Sequence, residues 1–507
     1  WAVTEEGIRK VYNSLKEAGS SIDRLGICCD WIMGVPEQYR NRFQASGSLI
    51  LNTPEEWNRL GQVVPVHPHL GDHMIGSLNG VENVTNALNA GVTTIGNLAQ
   101  YFTYEYPGLE MEDYRTVDYL KAMAIMGEFK EQGVCMHCNL DDGYGAQFHD
   151  VANLLGWAKL ERYIAEDLMG GRLAHCYGNL FSDSFLRIVF NRAISKIDKY
   201  GTPGTFVNGN TIDYGFSLPR NYAALCSYAL PDAACQLMYP TGYAVAPVPF
   251  TEAIRIPEAE EIVEAHLTMD MVIEKAPYYA RYIDWDKVNA DADKLVVGAN
   301  VFFERVINAL DDLGVDIEHA GEITAVLKAI GPEQMETAFG AGCRVPVMPI
   351  SIVQTINKIS DEAMAKQDFG EQGPLSGVPV VVGSTDVHEF GKEVIRKYLR
   401  SAGAKVFDLG TSVSISEIAD TLIETGSKIL CMSTYNGMAY SFAKELKESL
   451  EKAGLADTYV LMGGRLNEAM DGSDVPIDVT DKLTKMGVNA DNNIDTIIEA
   501  VAAHTAG

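Results

Sequence analysis

The stretch VPVVVGSTDVHEFGK, residues 378–392, decides how the second half of this chain is read. Its run PVVVGS (379–384) is short, apolar and β-branched, the pattern of a strand buried on both faces. TDVHEFG then supplies a loop, and KEVIRKYLRSAG opens a helix. Downstream the alternation repeats: strand KVFDLG, helix SEIADTLIETG, strand KILCMST, helix YSFAKELKESLEKAG, strand YVLMGG, an acidic stretch and the helix NNIDTIIEAVAAH. Strands alternating with helices over about 130 residues predict one doubly wound (flavodoxin-like) α/β domain at 378–507. Ligands of such sheets bind beyond the carboxyl ends of the strands. Those ends read GSTDVHEFG, DLGTS, MSTYNG and MGGR.

Two familiar phosphate loops are missing there. A dinucleotide site needs GxGxxG after the first strand, and a phosphate loop needs GK[ST], whereas Gly391-Lys392 is followed by Glu393. What stands in the loop is DxHxxG, from Asp386 through His388 to Gly391. A histidine just past a buried strand can point out of the sheet. An acid two residues earlier can take the hydrogen bond from its other ring nitrogen, the arrangement that orients a metal-bound imidazole. Gly391 permits close approach of a bulky ligand.

With these residues in place, region 378–507 resembles the cobalamin-binding domain shared by adenosylcobalamin mutases and methylcobalamin methyltransferases. The resemblance implies that His388 replaces the cofactor's own benzimidazole on cobalt, with Asp386 as its hydrogen-bond partner. It also implies a slot for the displaced nucleotide tail, lined by Ser433 of CMSTYNG and by Gly463 and Gly464 of LMGGR. Gly391 and Lys392 continue the motif, and Gly410 ends the second strand. One departure is that MGVNADNNIDTIIEAV lacks the aromatic-Pro-Gly-Thr segment of several mutases.

Upstream, seven short runs read as strands: RLGICCDW (24–31), VVPVHPH (63–69), GVTTIGN (91–97), GVCMHCN (133–139), RLAHCYGN (172–179), TFVNGN (205–210) and AACQLMYP (233–240). RVPVMPI (344–350) is an eighth candidate. Amphipathic stretches lie between several of them, so an N-terminal (β/α)₈ TIM-type barrel is expected over 1–330, a doubly wound open sheet being the competing architecture. Residues 331–377, rich in Gly and Pro, read as a linker. Polar residues gather near the run ends: His67, His69, Asn97, His137, Asn139, Asp141, His175, Tyr177, Asn208 and Asn210. A satisfied polar cap is the commoner role of each one singly; their grouping marks a rim where an active site would be built. His67, His69, Asn97, His137, His175 and Tyr177 are the expected substrate-side residues. Cys135 and Cys138 form a lone CxxC around His137, with no second pair at zinc-ribbon spacing.

This region also resembles the barrel subunit of glutamate mutase, in GVENVTNALNAGVTTIGN (80–97) and in PFTEAIRIPEAEEIVEAHLTMDMVIEK (249–275) with its EAI-x-IP core from Glu252 to Pro257. Fusion of the two regions is similar to methylmalonyl-type and methyleneglutarate-type mutases. The resemblances imply an isomerase: an adenosylcobalamin-dependent mutase performing a radical 1,2-rearrangement of a small carboxylic or amino acid. A cobalamin-dependent methyltransferase or corrinoid methyl carrier is the alternative, and a non-catalytic cobalamin-binding protein the second. Homolysis needs shielding from water, which suits a barrel capped by the corrin, whereas methyl transfer needs a mobile corrinoid domain.

Composition narrows the partners. Of 507 residues 47% are apolar and 21% charged, enough apolar surface to offset the entropy of folding. The net charge is −29, of which −7 lies in 377–507, so nucleic acid and anionic membranes are poor partners. No stretch approaches the roughly 20 unbroken apolar residues of a membrane helix. Nine cysteines, an odd and ordinary number, fit a reducing cytoplasm. A homo-oligomer, with or without an additional subunit, is the expected assembly, and a small acid the expected substrate.

Overall fold

The computed structural model describes residues 2–505 apart from 44, 46, 47, 105, 107, 108, 110, 142, 205, 216, 253, 343–345, 351–357, 359–372, 387–389, 412, 436, 469–476, 492 and 493. The chain divides into two compact units, 1–351 and 352–507. None of the described helices is long and apolar enough to cross a membrane.

In the first unit five strands pair in chain order, all parallel: β1 (Arg24–Ile27), β2 (His67–Leu70), β3 (Thr94–Ile95), β4 (Cys135–Asn139) and β5 (Leu173–Cys176). A parallel bridge from Tyr177 to Val207 carries the row on to β6 (Phe206–Val207), which pairs with β7 (Ala244–Val245). Helices such as Gly80–Asn89, Glu112–Glu128, Val151–Arg162 and Ser184–Ile197 connect the strands, as parallel pairing requires. The sheet curls strongly. Phe206 on β6 lies 5.0 Å from the His69 ring on β2, and Arg24 at the start of β1 donates to the Gly204 carbonyl at 2.6 Å.

Two of the expected strands are something else. AACQLMYP belongs to the helix Leu218–Met238, where Leu225, Tyr228, Ala229, Asp232 and Cys235 are buried at steps of three and four, the helical period. The strand comes later, at β7. RVPVMPI does not add an eighth parallel strand among the described residues. Its Pro349 instead makes an antiparallel bridge to Asp150, whose carboxylate accepts from Val347 N (2.7 Å), Met348 N (3.1 Å) and, as an N-cap, Ala152 N (3.0 Å). The described residues thus form a five-stranded parallel sheet and a parallel pair, with no ladder closing β7 onto β1. The first part of segment 331–377 packs on this unit: Glu336, on the helix Pro332–Phe339, accepts from the backbone of His149 and Asp150 and from the Asn153 amide.

The second unit is a parallel sheet of β8 (Pro379–Ser384), β9 (Lys405–Asp408), β10 (Ile429–Thr434), β11 (Tyr459–Gly464) and β14 (Asn489–Ala490), with β12 (Asn467–Glu468) and β13 (Ile477–Asp478) as a small antiparallel pair. Its order, β9-β8-β10-β11-β14, is the 2-1-3-4-5 of a flavodoxin-like doubly wound sheet. The central strands β8, β10 and β11 are apolar on both faces because helices cover both. Val381, Leu430, Met432, Val460 and Met462 pack on the side of helices Ile415–Thr425 and Ala439–Lys452. Val380, Val382, Ile429, Cys431 and Leu461 pack on the side of helices Phe390–Ser401 and Ile494–Thr505. Each such fully buried aliphatic side chain contributes about 1.5–3 kcal/mol relative to exposure.

Candidate functional site

In the second unit the register brings the predicted ligand-facing residues into one row. Ser384, Ser433 and Gly463 are side-by-side partners at the carboxyl ends of β8, β10 and β11, and Thr434 pairs with Gly464. A parallel sheet aligns these ends because all its strands run one way. His388, the expected cobalt ligand, lies with its two neighbours outside the described residues. Its expected partner Asp386 is buried, and its Oδ2 accepts from Tyr435 N at 2.7 Å and from the Thr385 hydroxyl at 3.2 Å. The acid is therefore held by the loop after β10.

The glycines leave room where it is needed. A Cβ on Gly391 would collide with the Ser433 hydroxyl, and one on Gly464 with the Thr434 carbonyl, where the backbone φ is +97°. Gly410, at φ +83°, turns the chain after β9; its N–H donates to Asp408 Oδ1 at 2.9 Å and its carbonyl accepts from Ser384 N at 3.0 Å. Beside this row the Thr434 hydroxyl is buried without a partner among the described residues. Small side chains, close backbones and an unpaired hydroxyl at aligned strand ends fit a slot for a ligand's polar tail. Lys392 serves structure instead: it is buried, with Nζ 2.9 Å from Asp408 and 3.0 Å from Glu393.

In the first unit the six expected substrate-side residues are not gathered on one rim. Asn97 is at the carboxyl ends, where it ties three loops together. Its Oδ1 accepts from Ala99 N (3.1 Å) and Asn139 N (2.9 Å), and its Nδ2 donates to Asp72 Oδ1 (3.2 Å). His67 stands at the opposite end, as the first residue of β2, with Nε2 2.9 Å from the Thr93 hydroxyl. His69 and His137 lie buried within the sheet face, ring to ring at 4.4 Å. Burial holds the His69 imidazole well below the usual histidine range and lowers His137 to about 3, so both are neutral at ordinary pH. His175 and Tyr177 face the helices: Tyr177 packs on Phe190, and its hydroxyl is buried without a partner among the described residues. Run ends in a sequence do not tell which end of a strand, or which face, a polar residue takes.

The CxxC is divided by strand alternation. Cys135 shares a face with His137, while Cys138 turns toward the helix Val151–Arg162, so the two cannot hold one ion together. Cys138 instead meets Glu161 and His175, a buried trio with the geometry to hold a metal ion. The Cys138 thiol is 3.2 Å from both Glu161 oxygens, His175 Nε2 is 2.9 Å from Oε2, and Trp157 Nε1 donates to Oε1 at 2.9 Å. Burial raises the Glu161 carboxyl to about 8 and lowers His175 well below its usual range. Glu161 was not singled out from sequence; its only signal was a carboxylate four residues after Trp157 on an apolar helix. Also missed was Arg187, fully buried, whose Nε donates to Asp232 at 2.7 Å and whose Nη1 donates to the Gly178 carbonyl at 2.7 Å. It further donates to the Asn208 carbonyl, so it pins the loops after β5 and β6. Beside it Asp141 Oδ2 accepts from Gly178 N at 2.7 Å.

The family comparison bears on the second unit. Residues 350–475 match the family model of the B12 binding domain. The glutamate mutase sigma subunit of Carboxydothermus hydrogenoformans is 36% identical over 86 residues, 17% of this chain and 62% of that protein. A corrinoid protein of Desulfitobacterium hafniense is 33% identical over 109 residues, 21% of this chain and 50% of that protein. The dimethylamine corrinoid protein 2 of Methanosarcina acetivorans is 26% identical over 168 residues, 32% of this chain and 74% of that protein. This chain therefore spans under two thirds of the first two relatives. Mutase subunits and corrinoid proteins both occur among them, and the shared element indicates cobalamin or a corrinoid as ligand. The second unit of this chain carries a B12-binding domain.

Proposed function

We propose that this protein is an adenosylcobalamin-dependent mutase, acting on a small carboxylic or amino acid, with a TIM-type barrel as its substrate unit. The observation that carries this reading is the first unit itself. A 351-residue unit built around a curled parallel sheet with a tied carboxyl-end rim accompanies the B12-binding domain in one chain. The dimethylamine corrinoid protein is about 230 residues in all, since 168 residues are 74% of it, and has no room for such a unit. Bound adenosylcobalamin supplies a weak cobalt–carbon bond whose homolysis starts radical chemistry.

The chain's own residues have the following parts. His388 would ligate cobalt, and Asp386, held by Tyr435 N–H, would orient its imidazole. Gly391, Gly410, Ser433, Gly463 and Gly464 would receive the nucleotide tail. At the rim, Asn97 positions Asp72 and Asn139, and the Asp72 carboxylate suits the ammonium group of an amino acid, while neutral His69 and His137 close the sheet behind them. A second reading, a methyltransferase or corrinoid methyl carrier, is favoured by the two corrinoid relatives.

The test is electron paramagnetic resonance of protein loaded with adenosylcobalamin carrying nitrogen-15 in its benzimidazole, with and without a panel of small carboxylic and amino acids. The mutase reading expects a paramagnetic cobalt signal that appears only with substrate, accompanied by an isomerised acid in the products. Nitrogen-14 splitting, lost in His388→Ala, marks the histidine as axial base. Silence across the panel, with methylcobalamin demethylated by an added thiol, overturns it in favour of methyl transfer. Unchanged affinity and axial ligation in His388→Ala overturns the ligand assignment.

A further inference from the structure

The first unit has a cavity that this function does not use. It encloses about 360 Å³, within the range of small-molecule sites. Its lining comes from the amino ends of successive strands: Arg24 and His67 open β1 and β2, Arg172 precedes β5, and Thr202 precedes β6. It lies opposite the carboxyl-end rim. Lys130 and Tyr200 complete the wall.

Three cations converge here in a chain of net charge −29, and none of the lining residues is acidic. Each cation is oriented by a backbone carbonyl: Arg24 by Gly204 at 2.6 Å, Lys130 by Gly170 at 2.8 Å and Arg172 by Gly171 at 3.0 Å. A carbonyl aims a cation without neutralising it. Arg172 also stacks on the Tyr200 ring at 4.0 Å. Of the carboxylates around the cavity, Glu131, 79% exposed, is 3.9 Å from Arg172, Asp23 neighbours Arg24, and Asp198, which accepts from Tyr200 N at 3.0 Å, is already paired with Arg162 at 3.2 Å. Gathering like charges around a partly desolvated guanidinium is costly unless an anion joins them. An independent sign comes from Thr202. It is 6% exposed, and its hydroxyl has no hydrogen-bond partner among the described residues.

We propose that this cavity is a binding site for a small dianion, an organic phosphate or a dicarboxylate. Its charged head sits among Arg24, Lys130 and Arg172, the Thr202 hydroxyl bonds to it, and its body lies against Tyr200. Because the site is at the amino ends of the strands, its ligand is an effector and not the substrate. Guanidinium pairs with carboxylate or phosphate through two parallel bonds, and Lys130 adds a point charge.

Thermal melts of the full chain test this, titrated with inorganic phosphate, glycerol 3-phosphate or succinate against chloride at equal ionic strength. A saturable rise in melting temperature is expected with at least one dianion. Response to both phosphates and not to succinate identifies a phosphate site; response to succinate alone identifies a dicarboxylate site. The Arg24→Gln/Arg172→Gln double variant should weaken the effective ligand at least tenfold. Should that variant fail to fold, Lys130→Gln at a half-buried position serves the same purpose, with a several-fold loss. No saturable shift beyond chloride, or an equal shift in the folded variant, overturns the proposal.

Discussion

At Gly391 and Ser433 the slot comes down to a single missing methyl group. The start of helix Phe390–Ser401 sits so close to β10 that a Cβ on Gly391 would meet the Ser433 hydroxyl. The neighbour is the end of a short side chain, so it can turn aside, at the cost of the position from which it would face the ligand. Gly391→Ala should therefore cost about 1–3 kcal/mol of stability, as overpacking does, and weaken cobalamin binding roughly tenfold. Adding Ser433→Ala should recover most of the stability and none of the affinity, because the collision goes but so does the hydroxyl. Melts and cobalamin titrations of the two variants separate these effects; Gly391→Ala with parental stability and affinity would show that the contact does not matter. That Asp386, Ser433 and the Gly-Gly pair stand at strand ends was legible in the sequence, because they follow apolar runs that read as strands; a part for Ser433 and the glycines in a slot came only from the family resemblance. What holds Asp386, the amide of Tyr435 across the sheet, was not legible, since it depends on which strands are neighbours.

Between elements, the helix Val151–Arg162 is anchored to β4 and β5 through Glu161, which receives Cys138, Trp157 and His175. Its carboxyl is raised by burial to about 8 from an ordinary 4.5. In the folded state it keeps its proton where the unfolded chain would release it, so folding binds a proton between pH 4.5 and about 8. Stability should accordingly fall as pH rises through that window, by at most about 1.4 kcal/mol per pH unit from this group. Urea unfolding of the parent and of Glu161→Gln measures it: the variant's curve should be flatter between pH 5 and 8, and parallel curves would refute a protonated Glu161. Six of the first unit's strands could be read from short apolar runs ending in polar residues. The seventh could not, because ACQLM is equally apolar at a period of two and at the helical period, and the preceding helix simply continued through it. Strand ends were harder still. His67 and Asn97 both border apolar runs in the sequence, yet one opens β2 and the other follows β3, at opposite ends of the sheet.

Over the whole molecule, the two units have separate cores, and only the second matches the B12-binding domain. A ligand stabilises the part it binds by mass action. Calorimetry of the full chain should thus resolve two transitions, with cobalamin raising only the one belonging to 352–507; a common shift of both, or a single transition, would mean that the units unfold together. The division of Cys135 and Cys138 between the two faces of β4 has a further consequence. Both thiols are buried, and burial raises the Cys135 thiol to about 12 and pushes Cys138 well above its usual range, so neither is alkylated until its surroundings open. They are three residues apart on one strand but look into different layers, Cys135 into the cationic cavity and Cys138 into the helix packing. The order in which a thiol reagent reaches them records how this sheet comes apart: Cys138 first if the helices peel away, Cys135 first if the strands part at their amino ends.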